Sequence, residues 1–169
     1  MLGDAAFLRD ARSDDAGPVI RLLRRSWLTT WAPELPFEAV RHFVENDPAS
    51  SFVAACLASF RIADVEGSIC GMCYVSKDVV ESLHVDPVAK GRGLGTVLLA
   101  DAEAAIGRYH PSARLEVRAF NDAARAFYQA RGWVERRRYE ATECGVPVAT
   151  LELGKDLAPE QDRLRPIGP

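Results

Sequence analysis

Residues 85–106 read VDPVAKGRGLGTVLLADAEAAI, and the fold turns on how this stretch is read. Glycines occupy alternate positions, Gly91, Gly93 and Gly95, with Lys90 before them and Arg92 among them. The apolar, β-branched run from Val79 to Val85 reads as a strand that Asp86-Pro87 ends. From Leu94 to Arg108 apolar residues recur at Leu94, Val97, Leu98, Ala102 and Ala105, the spacing of a helix with one buried face. A strand, a glycine loop and a helix start together make an anion site. Glycines let backbone N–H groups turn inward without Cβ clashes. The helix start adds roughly half a positive charge, and Lys90 and Arg92 add diffuse attraction. A dinucleotide fingerprint would need glycine where Thr96 stands, and a P-loop would need its second glycine there too. What remains is a basic-x-x-Gly-x-Gly loop, unless the stretch is a plain flexible turn.

Working outward, the chain alternates strand and helix signals. Phe7-Leu8-Arg9 reads as a short edge strand. Ser13-Asp14-Asp15 starts a helix that runs to Thr30 with apolar residues at Val19, Ile20, Leu22, Leu23, Trp27 and Leu28. Pro33 ends it. A second helix is expected from Pro36 to Val44, and Asn46-Asp47-Pro48 is read as a stop. Phe60–Val65 and Ser68–Val75 form a hairpin across Glu66-Gly67. Ala113–Phe120 alternates as a strand, Asn121-Asp122 opens a helix that Gly132 closes, and Arg136–Glu143 with Val146–Leu153 make a last hairpin. The expectation is one mixed α/β (α+β) domain over residues 1–157, with a Pro-rich tail from Ala158 to Pro169.

Composition excludes several classes. The chain has 169 residues, 48% of them hydrophobic, which suits one globular domain with a real core. Its net charge of -3 offers no basic field for nucleic acid. No apolar run approaches the roughly 20 residues that span a bilayer. Met1–Arg12 lacks the apolar segment of a secretory signal, so a cytoplasmic protein is expected. Cys70 and Cys73 form a lone C-x-x-C in a strand, where i and i+3 should face opposite sides. They read as core or edge thiols, and no metal is expected.

A second motif, LEVRAFNDAARAFYQARGW at residues 115–133, changes the weight of the first. The glycine loop together with Asn121, Ala124, Phe127, Tyr128, Gly132 and Trp133 resembles the GNAT superfamily of N-acetyltransferases. The motifs cover residues 79–135, and the element order on either side is compatible. Lys90 departs from the Arg or Gln usual there, and Trp133 from the usual Phe. Residues 115–128 are also similar to the bacterial ribosomal-protein alanine acetyltransferases, but the N-terminal half and the final hairpin show no such match.

The resemblance implies a mostly antiparallel sheet of about seven strands with about four helices, its fourth and fifth strands splayed. It implies acetyl-CoA as donor, with the pyrophosphate on the amides of Gly91, Arg92, Gly93, Leu94, Gly95 and Thr96 and Lys90 beside them as a cation. The pantetheine arm would pair with the backbone of Leu83, His84 and Val85, and Asn121 would bond it or simply start a helix. Tyr128 is the implied general acid. Amine acetylation also needs a base. Glu81, a carboxylate in an apolar strand, is the first candidate; Glu116 and His84 are rivals, the latter alternating away from Leu83 and Val85. The Val85 N–H is the candidate for stabilising the oxyanion. Trp27 and Trp31 are candidate contacts for the amine, by cation–π attraction. Arg125 and Arg136-Arg137-Arg138 are read as a 3′-phosphate contact or, for the run, a solvated face. The expected acceptor is a small-molecule amine or a peptide N-terminus, the expected cysteine role is not covalent, and a homodimer through the terminal strands is compatible. A non-catalytic acyl-CoA sensor and a different nucleotide-binding module are the alternatives.

Overall fold

The computed structural model describes residues 6–157. The tail expected from Ala158 lies outside the described residues. The elements run β1 (Ala6–Asp10), α1 (Ala16–Thr30), α2 (Phe37–Asn46), α3 (Pro48–Cys56), β2 (Phe60–Val65), β3 (Ser68–Ser76), β4 (Val79–Val85), α4 (Leu94–Gly107), β5 (Ser112–Arg118), α5 (Asp122–Gln129), β6 (Val134–Glu143) and β7 (Val146–Asp156). The strands form one mixed sheet in the order β1-β2-β3-β4-β5-β7-β6.

Apolar residues divide between the two faces of the sheet. On one face, Val19 and Leu22 of α1 and Ala49 and Val53 of α3 pack on Phe60, Ile62 and Met72. On the other, Leu94, Leu98, Leu99, Ala102 and Ile106 of α4 pack on Ala63, Val80, Leu115 and Leu153, with Tyr128 and Trp133 completing the cluster. Trp133 is fully buried, and its indole N–H donates to Glu103 Oε1 at 2.8 Å, while Lys155 Nζ holds the same carboxylate at 2.8 Å. The larger ring is accommodated because its polar edge has a partner.

The sequence reading expected about four helices, and the described residues form five. Asn46-Asp47-Pro48 does end α2, but Asp47 turns the chain in the left-handed region (φ 44°) and Pro48 opens α3 at its first position. Proline tolerates that position because its missing N–H would have no partner there. Ala49 and Val53, one turn apart, then reach the core. Asp47 is held by Arg24 at 2.5 Å, and that guanidinium keeps its carboxyl at about 2.

Two bulges shift side chains from where simple alternation puts them. Ala63 pairs with Gly71 and Asp64 with Ile69, so Cys70 is an extra residue in β3. Cys70 and Cys73 therefore both pack toward the α4 face, against the expectation of opposite faces. Burial pushes the Cys73 thiol up to about 12, which suits an inert core residue. In β4, Tyr74 pairs with Ser82 and Val75 with Val80, leaving Glu81 as the bulged residue. Val80, Leu83 and Val85 pack on the α4 face, and Ser82 and His84 pair with Tyr74 and Met72, whose side chains pack toward α1 and α3.

Among the described residues the sheet has one parallel junction, and it is short. β4 and β5 pair only at Val79–Arg114 and Val80–Leu115. Beyond Val80 they separate, as the splayed strands of the sequence reading require. β5 instead pairs along its length with β7, from Ser112–Asp156 to Arg118–Thr150. The opening lies in the middle of the sheet, beside the start of α4.

Candidate active site

A cavity of about 620 Å³ runs through this opening. Its walls come from both faces: Ser26 and Thr30 of α1 and Trp31 at its end; Glu81 to Val85 of β4; Lys90, Gly91 and Gly93 to Thr96; Glu116 and Arg118 of β5; and Asn121, Phe127, Tyr128 and Arg131 on the α5 side. Size and mixed lining suit a small-molecule site.

On the α4–α5 face the backbone does the work. Asp86 accepts from the Val88 N–H at 3.1 Å and shapes the exit from β4. Gly91 and Gly93 both take φ 79°, left-handed geometry that costs other residues strain. Gly93 caps α4, and its carbonyl accepts from the amides of Thr96 at 3.0 Å and Val97 at 3.2 Å. The Thr96 amide is thus already engaged by the helix. Among the described residues the amides of Gly91, Gly93, Leu94 and Gly95 bond no backbone carbonyl. Four N–H groups leading into a helix start, on a loop where Gly91 and Gly93 face open space, fit a diphosphate. Gly95 has a second reason: a Cβ there would press within 3.4 Å of the Phe127 ring, where α5 crosses α4.

Arg131 is the residue here that sequence reasoning missed. Its guanidinium lies 3.8 Å over the Phe127 ring and donates to Thr96 Oγ1 at 2.6 Å, which sets a cation beside the glycine loop. Arg125, by contrast, is engaged with the Ala119 carbonyl and Asp122. Arg136, Arg137 and Arg138 do not line the cavity, and pair with Asp156, Glu152 and Glu135.

Tyr128 is 8% exposed and wedged between Phe127 and Trp133. Burial, with a smaller push from Cys73, holds its phenol above the ordinary tyrosine range, so it stays protonated. Asn121 caps α5, its Oδ1 accepting from the Ala124 N–H at 3.1 Å, while its residue lines the cavity.

On the α1 face side chains do the work. Arg118 donates to Thr150 Oγ1 at 2.9 Å and Glu143 Oε2 at 3.0 Å, and lies 5.5 Å from the Trp31 ring centroid. Trp31 meets Phe120 edge-on. Glu143 also accepts from Trp27 Nε1 at 3.0 Å, which ties the last hairpin to α1. Trp27 itself is 6% exposed, stacked on Phe43 at 3.9 Å, and absent from the cavity wall. It is a core residue rather than the amine contact expected of it. Glu81 is exposed at the cavity rim, on the bulge, without the partial burial expected there. Glu116 accepts a very short hydrogen bond from the Tyr139 hydroxyl. His84, set aside because it alternates away from Leu83 and Val85, does face the other way, and that direction is also cavity. His42 is an exposed α2 residue lying near Gly145.

A family model described as an acetyltransferase (GNAT) domain matches residues 30–153. The chain belongs to the GNAT family of acetyltransferases. It is an acyltransferase, and its family transfers acetyl groups from acetyl-CoA. Solved structures share the GNAT fold at low identity. A GCN5-related N-acetyltransferase from Rhodopseudomonas palustris is 24% identical with a TM-score of 0.80, over 93% of this chain and 99% of that one. The PaiA N-acetyltransferase of Thermoplasma acidophilum, solved with coenzyme A, is 18% identical with a TM-score of 0.70, over 90% and 99%. The ribosomal-protein alanine N-acetyltransferase of Escherichia coli is 19% identical with a TM-score of 0.67, over 95% and 99%. No curated protein matches by sequence. Among the described residues no cluster of three or more His, Cys, Asp or Glu side chains could hold a metal, and no helix is long and apolar enough to cross a membrane.

Proposed function

We propose that the protein acetylates a primary amine, on a small molecule or a peptide N-terminus, by direct attack on acetyl-CoA in a ternary complex in the cytoplasm. The observation that carries this is the cavity that opens on both faces of the sheet through the β4–β5 gap. A donor held by backbone amides on one face and an acceptor held by side chains on the other would meet inside it.

In this reading the amides of Gly91 to Gly95 hold the diphosphate, with Lys90, Arg92 and Arg131 supplying positive charge. The open edge of β4 from Leu83 to Val85 pairs with the pantetheine. Glu81 at the rim draws the ammonium in and takes its first proton through water. As nitrogen attacks the thioester carbon, the Val85 N–H meets the developing oxyanion. The C–N bond forms, the C–S bond breaks, and Tyr128 gives its proton to the departing thiolate. A phenol kept neutral by burial is supplied in the form this step needs. Trp31, beside Arg118, is the aromatic wall for the acceptor.

The test is release of free thiol from acetyl-CoA across a panel of amines and N-terminal peptides, followed with a thiol-reactive dye. Release that depends on an amine, with acetylated product found by mass spectrometry, is expected. Binding of acetyl-CoA without release from any amine would favour the sensor module instead.

A further inference from the structure

Ser26 of α1 and His84 of β4 form a pair that the scheme above leaves unused. Ser26 is 9% exposed, its Oγ lies 3.0 Å from His84 Nδ1, and both residues line the cavity. His84 stands four residues past the last β4–β5 pair, in the splayed stretch. It projects to the α1 side, together with Trp31 and Arg118 on the cavity wall. Among the described residues its Nε2 has no hydrogen-bond partner. An imidazole with one nitrogen held and the other unmet, on the wall of a site where nitrogen must shed protons, is poorly explained as packing.

We propose that His84 takes the second proton from the acceptor nitrogen as the new amide forms, with Ser26 as its positioning residue. This rests on the acetyl-transfer reading above. An ammonium loses two protons on its way to an amide. The first leaves before attack. The second leaves the tetrahedral adduct, whose nitrogen is more acidic than a free ammonium because its carbon bears oxygen and sulfur. Nδ1–H donates to Ser26 Oγ, and Nε2 accepts this second proton. The C–N bond is then neutral amide, the C–S electron pair leaves as thiolate and takes the Tyr128 proton, and the imidazolium returns its proton to water. No oxidant or further reactant is required. Burial lowers the His84 pKa to about 4, so the ring is neutral and ready to accept throughout the working range. The two protons leave at different places, the first at the exposed rim where Glu81 stands and the second inside the gap at His84.

Three readouts test this. Nitrogen-15 spectra of the wild-type histidines should show His84 as the Nδ1–H tautomer; the Nε2–H tautomer would overturn the assignment without any mutation. His84→Ala should lower kcat about 100-fold with acetyl-CoA affinity held, and added imidazole should restore about tenfold of it. Ser26→Ala should cost about tenfold in kcat and gain nothing from imidazole, and Ser26→Thr should recover most of that loss. A folded His84→Ala enzyme with wild-type kcat, or one deaf to imidazole, overturns the proposal. If wild-type enzyme releases no thiol with any amine, acetyl transfer fails first and this assignment falls with it.

Discussion

The two faces of the cavity are built on different principles. The face proposed for the donor is made of backbone: glycines at φ 79°, a helix start and the open edge of β4. The face proposed for the acceptor is made of side chains from distant segments: Ser26 from α1 and Trp31 at its end, His84 from β4, Arg118 from β5, with Glu143 from the last hairpin bracing them. A backbone site is written in a short contiguous motif, here residues 90–96. A side-chain site is written in residues up to 116 positions apart, such as Trp27 and Glu143, and is free to vary with the acceptor.

If the division is real, substitutions should separate donor from acceptor effects. The largest loss is expected at Gly93→Val, which forces a β-branched residue into left-handed backbone and crowds the phosphate side. Acetyl-CoA should bind about 100-fold more weakly by calorimetry. Tyr128→Phe should lower kcat by about 100-fold while leaving acetyl-CoA affinity near wild type. Trp31→Ala should raise the acceptor KM about tenfold with donor affinity unchanged in the same titration. A change in donor affinity there would blur the two faces into one.

The smallest expected effect is on stability. The folded His84 pKa is lowered to about 4 from the ordinary 6.5, so between these values the unfolded chain binds a proton that the folded chain refuses. Stability contributed by the neutral ring is therefore complete above pH 6.5 and falls as pH drops toward 4. Because the ring is half-buried, the loss should be about 1–2 kcal/mol rather than the whole shift. Thermal melts across this window should fall more steeply for wild type than for His84→Gln.

What was legible in the sequence follows the same division. The glycine loop and the Tyr128 helix could be anticipated from motifs, because their signals are local, while the splay between the fourth and fifth strands came only with the resemblance. Strand order beyond the hairpins was not legible, because pairings between distant strands leave no local mark. Pro48 was read as a stop because proline ends one helix and begins the next with equal ease. Bulges at Cys70 and Glu81 defeated alternation, since one extra residue reverses every later side chain and leaves no mark in composition. Trp27 looked like a ligand contact because a helical stripe does not say which aromatic turns inward; Phe43 and Glu143 decide it. His84 was set aside for facing away from the donor, and only the through-sheet cavity makes that direction meaningful. Arg131 and Glu143 could not be placed at the site from sequence, because the contacts that put them there, with Thr96 and Trp27, lie far off in the chain.

The central claim is that donor and acceptor enter from opposite faces and react directly in the gap. Initial rates measured over a matrix of acetyl-CoA and acceptor concentrations test it. Double-reciprocal lines that intersect are the predicted result, because both substrates must be bound before any product leaves. Parallel lines, with free thiol released before the acceptor is added, would contradict it and point to an acetylated enzyme.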